Sequence, residues 1–398
     1  MEDLELSIIL NREKMLSSSK IYVAGHTGLV GSALTRTLKA KGYDNLVVRT
    51  MEELDLTDQK QTEAFFEEEV PEYVFLAAAK VGGIIANNTY RADFIYNNIM
   101  IQSNVIHCAW KFGVKKLLFL GSTCVYPKNA PQPLREDWLL TSELEHTNEP
   151  YAIAKIAGLK MCESYNIQYN TNFISVMPTN LYGSGDNFDL EKSHVLPALI
   201  RKFHLAKCLE ANDWKSIRED ISRNPIENLF GDADEKIILA ALGKYGIVVN
   251  DTSGRDSQVS NSSIKHIEKR QIAVRVWGTG TPLREFMNSQ DMAEACIFLM
   301  EKIDIKDITA LHSSGKKTKD YYPPHFLNIG TEEEITIRDL AYKIKSITGF
   351  VGDIVFDSTK PDGTMRKVTD VTALRNLGFH HKIDLDTGIR KMYEQYVQ

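Results

Sequence analysis

No apolar run in this 398-residue chain approaches the roughly 20 residues needed to cross a bilayer, so a membrane-spanning helix is not expected. The first residues, Met1 to Lys20, are acidic and mixed, and their longest apolar stretch, Ile8 to Leu10, is far shorter than a signal-peptide core. A cytoplasmic protein is expected. Cysteine is scarce: Cys108, Cys124, Cys162, Cys208 and Cys296 are scattered, odd in number and without Cys-x-x-Cys spacing. That pattern predicts neither a disulfide framework nor a zinc site, and no metal. A net charge of −6 gives no global attraction to nucleic acid. The chain instead has an ordinary globular composition, 43% hydrophobic and 25% charged, with length enough for two domains.

Ile21-Tyr22-Val23-Ala24 reads as a buried strand, Leu29 to Ala40 carries helical apolar spacing, and Leu46 to Val48 reads as a second strand. The alternation continues with a helix near Asp58 to Glu68, a strand at Tyr73 to Ala77, a helix from about Arg91 to Phe112 and a strand at Lys116 to Leu120. A further helix should begin near Pro150 with Asn148 as its cap, followed by a strand from Phe173. Such alternation predicts an α/β fold: a Rossmann-type doubly wound parallel sheet with a smaller C-terminal α/β substrate domain. The expected boundaries are an N-terminal extension over 1–19, a dinucleotide domain over 20–180 regained at about 285–325, and a substrate domain over 181–284 and 326–398. The polar segment of about 205–270 reads as an insertion, solvated and partly disordered, or else a lid or oligomer contact.

Gly25-His26-Thr27-Gly28-Leu29-Val30-Gly31 lies where the first strand meets the first helix. Its glycines allow a tight turn and close approach of backbone to a pyrophosphate at the helix N-terminus. The second strand ends in Arg49 rather than in an acidic residue, and an arginine there can neutralise a ribose 2′-phosphate, so NADP(H) is expected over NAD. Asp55 and Leu56 could reach the adenine, and Ala77, Ala78 and Ala79 could line the ribose. Ser122 follows the fourth strand at the carboxyl edge of the sheet. Tyr151 and Lys155 stand at i and i+4, one helical turn apart on one face. A lysine so placed should lower the tyrosine pKa, and the phenol can exchange a proton with a carbonyl or alkoxide oxygen while nicotinamide exchanges hydride at the adjoining carbon.

With these residues in this order the chain resembles the extended short-chain dehydrogenases and, within them, the GDP-L-fucose synthases. The likeness rests on the Gly25–Gly31 loop, on 76–84 with Asn87-Asn88-Thr89, and on Gly121-Ser-Thr-Cys-Val-Tyr-Pro-Lys128. It extends through 148–155, 176–183, Ser193-His194-Val195, 276–286 and Lys360-Pro-Asp-Gly-Thr364. The resemblance implies NADPH-dependent epimerisation at C3 and C5 of GDP-4-keto-6-deoxy-mannose, then reduction at C4 to GDP-L-fucose. It makes Cys124 and His194 the acid–base pair; taken without it, Cys124 reads as a small core residue and His194 as a surface cap. It adds Leu120, Gly121, Pro178, Thr179, Asn180, Leu181 and His194 to the cofactor contacts. To the substrate it assigns Ser122, Asn180, Lys202, Trp277, Arg284 and Asp362. It also implies a homodimer. The chain departs from the pattern at Thr27 and Met51, where arginines would serve the 2′-phosphate, and in the length of its insertion.

Two rival functions remain open on sequence. An NAD-dependent nucleotide-sugar 4-epimerase or 4,6-dehydratase shares the fold, but the first has no need of a C3/C5 base and the second wants a carboxylate where Cys124 stands. A non-catalytic NADP-sensing Rossmann protein would have no need to keep Ser122, Tyr151 and Lys155 together.

Overall fold

In the computed structural model, residues 14–250, 271–314 and 322–398 are described. These described residues divide into two compact units, the first made of those within Met1–Gly185, Glu285–Glu333 and Val368–Ile383, the second of those within Asp186–Arg284, Glu334–Lys367 and Asp384–Gln398.

The first unit is built on a six-stranded parallel sheet. Its spatial order runs Phe326–Ile329, Phe173–Pro178, Lys116–Leu120, Tyr73–Leu76, Ile21–Ala24, Leu46–Val47. Five of the strands are short and continuously buried, as expected of a sheet covered on both faces, and the edge strand Leu46–Val47 is partly exposed. Alternation at period two splits them between two cores. Ile21, Val23, Leu118 and Ile174 pack with Leu34 and with Met292, Ala293 and Leu299 from helices Leu29–Ala40 and Ser289–Lys302. Tyr22, Val74, Leu76 and Phe119 face the other way, toward Phe66, Val105 and Leu159 from helices Gln59–Glu69, Arg91–Lys111 and Glu149–Tyr169. The buried Lys116 ammonium closes the end of helix Ser289–Lys302, donating to the carbonyls of Leu299 at 2.9 Å and Met300 at 3.0 Å, where the helix dipole favours a cation.

Strand order reverses between Ile21–Ala24 and Tyr73–Leu76, which is where open α/β sheets bind ligands at their carboxyl edge. The substrate domain was expected to resume at 326. Instead Phe326–Ile329 pairs in parallel with Phe173–Pro178, and Val371, Leu374 and Phe379 cover the same core. A run as short as Phe-Leu-Asn-Ile has no periodicity that assigns it to one sheet or another.

In the second unit, strand Gln271–Trp277 lies between Asp353–Asp357, parallel, and Ile247–Asn250, antiparallel. Helices Val195–Glu210, Ile337–Thr348 and Leu385–Val397 belong to this unit. Arg201 is fully buried and pairs with Asp220 at 2.9 Å, while Tyr396 donates to the same carboxylate. The segment expected to be a solvated insertion is folded as far as Asn250. Helices Trp214–Arg223 and Glu235–Lys244 start on Asp213 and Asp234, whose side chains accept first-turn N–H groups, and they bury Ile217, Ile221, Ile238 and Leu242. The charged face of helix Trp214–Arg223 contributed to the polar composition that suggested an insertion, while the stretches around Asp251 and Ser260 that also did fall within 251–270, outside the described residues.

Candidate active site

The glycine turn comes directly after strand Ile21–Ala24, and its geometry admits only glycine at two positions. Gly25 has φ +80, and a Cβ there would lie 2.6 Å from the backbone N of Ala78, so the turn is pressed against the loop after strand Tyr73–Leu76 at the switch point. A Cβ on Gly31 would lie 2.0 Å from the Gly25 carbonyl oxygen. Helix Leu29–Ala40 starts on Gly28 with no side-chain cap, leaving its first N–H groups to a ligand. The buried His26 Nδ1 has no hydrogen-bond partner within the protein. A cradle closed by two obligatory glycines, with open amides and an orphaned donor or acceptor, fits a dinucleotide pyrophosphate.

Around that turn, the Ala77 amide bonds the Ala24 carbonyl at 3.0 Å. Asn98 clamps Lys80 from both sides, accepting from its N–H at 2.9 Å and donating to its carbonyl at 3.0 Å, so the loop carrying Ala77, Ala78 and Ala79 is held from helix Arg91–Lys111. Asp55 caps its own turn through the N–H and hydroxyl of Thr57, and Leu56 is buried with its carbonyl bound to Asn104. Arg49 sits over the Phe65 ring and is ion-paired with Glu69, which also holds Lys20. Its guanidinium is therefore oriented within the protein. Thr27 is exposed, as is Met51.

At the carboxyl end of strand Lys116–Leu120 the chain turns through Gly121. Its N–H bonds the Val176 carbonyl at 2.8 Å, and a Cβ there would meet the Met177 methyl at 2.4 Å. Ser122 has extended backbone and its hydroxyl accepts from Cys124 N at 3.3 Å. The Lys155 ammonium, 3% exposed, donates to the Leu120 carbonyl at 2.7 Å and lies 5.8 Å from the centre of the Tyr151 ring. Burial lowers the Lys155 pKa to about 8, and a Cys124 thiolate nearby works in the opposite direction. Burial also raises the Tyr151 pKa, reinforced by Cys124. The pKa lowering expected from the lysine is not found: desolvation of the phenol sets the direction of the shift. Ser122, Cys124, Tyr151 and Lys155 are gathered by one strand end and one helix.

Pro178 ends the next strand over, and Thr179, Asn180 and Leu181 follow it. Asn180–Tyr182 pairs in parallel with Phe286–Asn288, and Asn180 Nδ2 donates to the Glu285 carbonyl at 2.8 Å. Asn148, expected to cap the helix that carries Tyr151, makes no side-chain capping bond. Glu145 instead accepts from Thr147 N in the short turn leading in, and Asn148 Oδ1 is buried without a partner.

The other candidates lie in the second unit. His194 is the N-cap of helix Val195–Glu210 and solvent-exposed, though protein crowded about the ring and then the Lys367 charge lower its pKa. Lys202, on the same helix, has its pKa lowered to about 8 by burial alone. Arg284 donates to the carbonyls of Leu283, at 2.8 Å, and Thr364. Asp362 accepts from Thr279 N at 2.9 Å and Oγ1 at 2.8 Å, tying the Gly278–Gly280 turn to the segment that follows Asp353–Asp357. Trp277 is 56% exposed, with the Lys360 ammonium 5.5 Å from its ring centre. Lys360 was not singled out on sequence; its place in the Lys-Pro-Asp-Gly-Thr run was the available signal. Among the described residues no group of three or more His, Cys, Asp or Glu could hold a metal ion.

Comparison with known proteins adds three kinds of likeness. The model of the NAD dependent epimerase/dehydratase family matches residues 21–221 and 237–310. A putative GDP-L-fucose synthase 2 of Arabidopsis thaliana is 47% identical over 381 residues, 96% of this chain and 92% of that one. The GDP-L-fucose synthase of Escherichia coli K12 is 43% identical over 383 residues, 96% of this chain and 98% of that one. Among solved structures, MlghC, a GDP-mannoheptose C4 reductase from Campylobacter jejuni with NADP bound, superposes with a TM-score of 0.78 at 41% identity, covering 96% of this chain and 100% of that one.

Proposed function

We propose, from the premise that the chain belongs to the NAD dependent epimerase/dehydratase family, that it is a GDP-L-fucose synthase, converting GDP-4-keto-6-deoxy-mannose to GDP-L-fucose with NADPH. The observation that carries this reading is the cluster of Ser122, Cys124, Tyr151 and Lys155 at one strand end, on a scaffold 43% identical to the Escherichia coli GDP-L-fucose synthase.

Protons at C3 and C5 flank the C4 ketone and are acidic because the electron pair left behind delocalises onto the ketone oxygen. At each carbon in turn, Cys124 as thiolate takes the proton and His194 as imidazolium returns one; exchange with solvent restores both groups between the two inversions. Ser122 donates a hydrogen bond to the C4 oxygen as charge builds there. In the reduction, NADPH supplies the hydride to C4. Tyr151 gives its phenolic proton to the C4 oxygen, and its raised pKa keeps that proton in place until it is needed. Lys155 holds the ring's surroundings through Leu120 and offers positive charge to the phenolate that results. Lys202, Arg284, Trp277 and Asp362 serve the GDP moiety, the arginine by forked bonds to phosphate. Gly25, His26, Thr27, Gly28, Leu29, Val30 and Gly31 hold the cofactor pyrophosphate, and Arg49 its 2′-phosphate.

A second reading is favoured by the MlghC likeness: the same chemistry on a GDP-4-keto-heptose, with reduction at C4. The two are separated by following NADPH absorbance with each ketosugar side by side. Faster oxidation on the 6-deoxy substrate, with GDP-L-fucose as product, supports the first reading, and preference for the heptose supports the second. Turnover of neither overturns both.

A further inference from the structure

Glu285 has no exposed surface, yet its carboxylate is fully engaged. It accepts from the backbone N–H groups of Thr331, of Glu332 at 2.9 Å and of Thr369 at 2.8 Å, and from the Thr369 hydroxyl at 2.8 Å. All of these donors are neutral, and they come from two segments far apart in sequence: the turn leaving strand Phe326–Ile329 and the stretch entering helix Thr372–Asn376. Gly330 makes room for them, since a Cβ there would lie 2.1 Å from Glu285 Oε1 and 2.2 Å from the Thr369 hydroxyl. A buried acidic group is expensive to desolvate, and with no ion-pair partner among the described residues Glu285 is sustained by several donors converging on it. An apolar residue would hold the strand in place without that demand.

What the carboxylate holds still is its own peptide. The Glu285 carbonyl accepts from Asn180 Nδ2 at 2.8 Å and from the Thr179 hydroxyl at 3.5 Å. A carbonyl can only accept, so the end of the Asn180 amide facing it is the NH₂. The Asn180 Oδ1 is thereby turned the other way, as an acceptor, beside the carboxyl edge where strand Phe173–Pro178 ends.

We infer that Glu285 is a positioning residue that acts through Asn180. Its carboxylate fixes the Glu285 carbonyl, that carbonyl fixes the amide of Asn180, and Asn180 presents one oriented oxygen to an O–H or N–H donor. The donor is a hydroxyl of the sugar or the carboxamide of the nicotinamide. The inference rests on the functional reading above for the identity of those bound molecules, and on geometry alone for the link between Glu285 and Asn180.

The test compares the native enzyme with Glu285→Gln, Asn180→Ala, the double variant and Thr369→Val. Glutamine would set an NH₂ among donors. Thr369→Val removes only a hydroxyl at nearly constant volume and is the variant that keeps the fold if Glu285→Gln does not. The expected result is a fall of about 10-fold or more in kcat/KM for each single variant at 180 and 285, with the double variant no worse than either. Thr369→Val should show a smaller loss in the same parameter. A rise in KM for the GDP-sugar assigns the donor to the sugar, and a weaker NADPH Kd by fluorescence assigns it to the nicotinamide. Multiplying losses in the double variant overturn the inference, since Glu285 would then act independently of Asn180. If the native enzyme binds NADPH but reduces no GDP-ketosugar, the functional reading fails while this one is still decided by crystallography. The Asn180 amide should leave the residue-285 carbonyl in Glu285→Gln, and an unchanged Asn180 would overturn the proposal.

Discussion

At the scale of single residues, the sign of a pKa shift is set by whichever of two opposed effects is larger. Tyr151 and Lys155 are brought together by i, i+4 spacing, and that much is legible from sequence because a helix has only one way to place them. The expected consequence, a phenol acidified by its neighbour, does not follow, because both groups are desolvated and burial of the phenol is the larger effect. Burial is a property of the assembled core and has no local signature. Cys124 illustrates the same limit: the residue is recognisable by resemblance, while its closeness to Tyr151 and Lys155 needs the folded turn after Leu120. Cys124→Ser should therefore lower formation of the epimerised product by ~10²-fold or more, the usual scale for a lost general base. NADPH oxidation on the unepimerised ketone should persist. NMR of the product sugar checks this, and undiminished formation of GDP-L-fucose would count against the assignment.

At the scale of elements, the glycine turn was readable because backbone geometry makes an unusual demand there. Adding a methyl at Gly31 puts it 2.0 Å from the Gly25 carbonyl oxygen, and the neighbour is backbone that has nowhere to go. Gly31→Ala should weaken NADPH binding at least ~10-fold in a fluorescence titration, more than it lowers Tm, because the strain falls on the ligand-facing turn. The segment after Leu205 was misjudged for the opposite reason. Helical periodicity near Ile237 to Leu242 was legible, but charged side chains dominate helix Trp214–Arg223, where the buried positions Ile217 and Ile221 are too sparse to stand out. Glu136 adds a prediction that no sequence pattern suggests. It is buried, accepts from Asn328 N at 3.0 Å, and faces Asp370 and Asp137; burial first, and those charges with it, raise its pKa to about 7. A carboxyl with a raised native pKa contributes stability below its unfolded value, near 4.5, and that contribution is lost as pH rises through about 7. This group should therefore cost Tm as pH rises from about 4.5 to about 7, and Glu136→Gln should flatten that slope. Equal slopes in the two proteins would show that Glu136 does not carry it.

For the whole molecule, each unit is assembled from segments separated in the chain, and this is where sequence is least informative. Local pattern located the strands of the six-stranded sheet, but membership of Phe326–Ile329 in that sheet depends on pairing with residues some 150 positions earlier. Association is a further whole-molecule property. Helices Arg91–Lys111 and Glu149–Tyr169 pack on one another and leave Tyr96, Ile153, Ile167 and Tyr169 exposed, at 61%, 41%, 59% and 42%. We propose that these helices form a homodimer surface. Light scattering should give twice the 45.0 kDa chain mass, and Ile153→Glu with Ile167→Glu should reduce it to one.

The central claim is that one chain both epimerises and reduces, and running the reaction in D₂O tests it most directly. With GDP-4-keto-6-deoxy-mannose and unlabelled NADPH, the account predicts GDP-L-fucose carrying solvent deuterium at C3 and at C5, with protium at C4 from the cofactor. A reduced product with no deuterium at either carbon would make the protein a C4 reductase alone and contradict the roles given to Cys124 and His194.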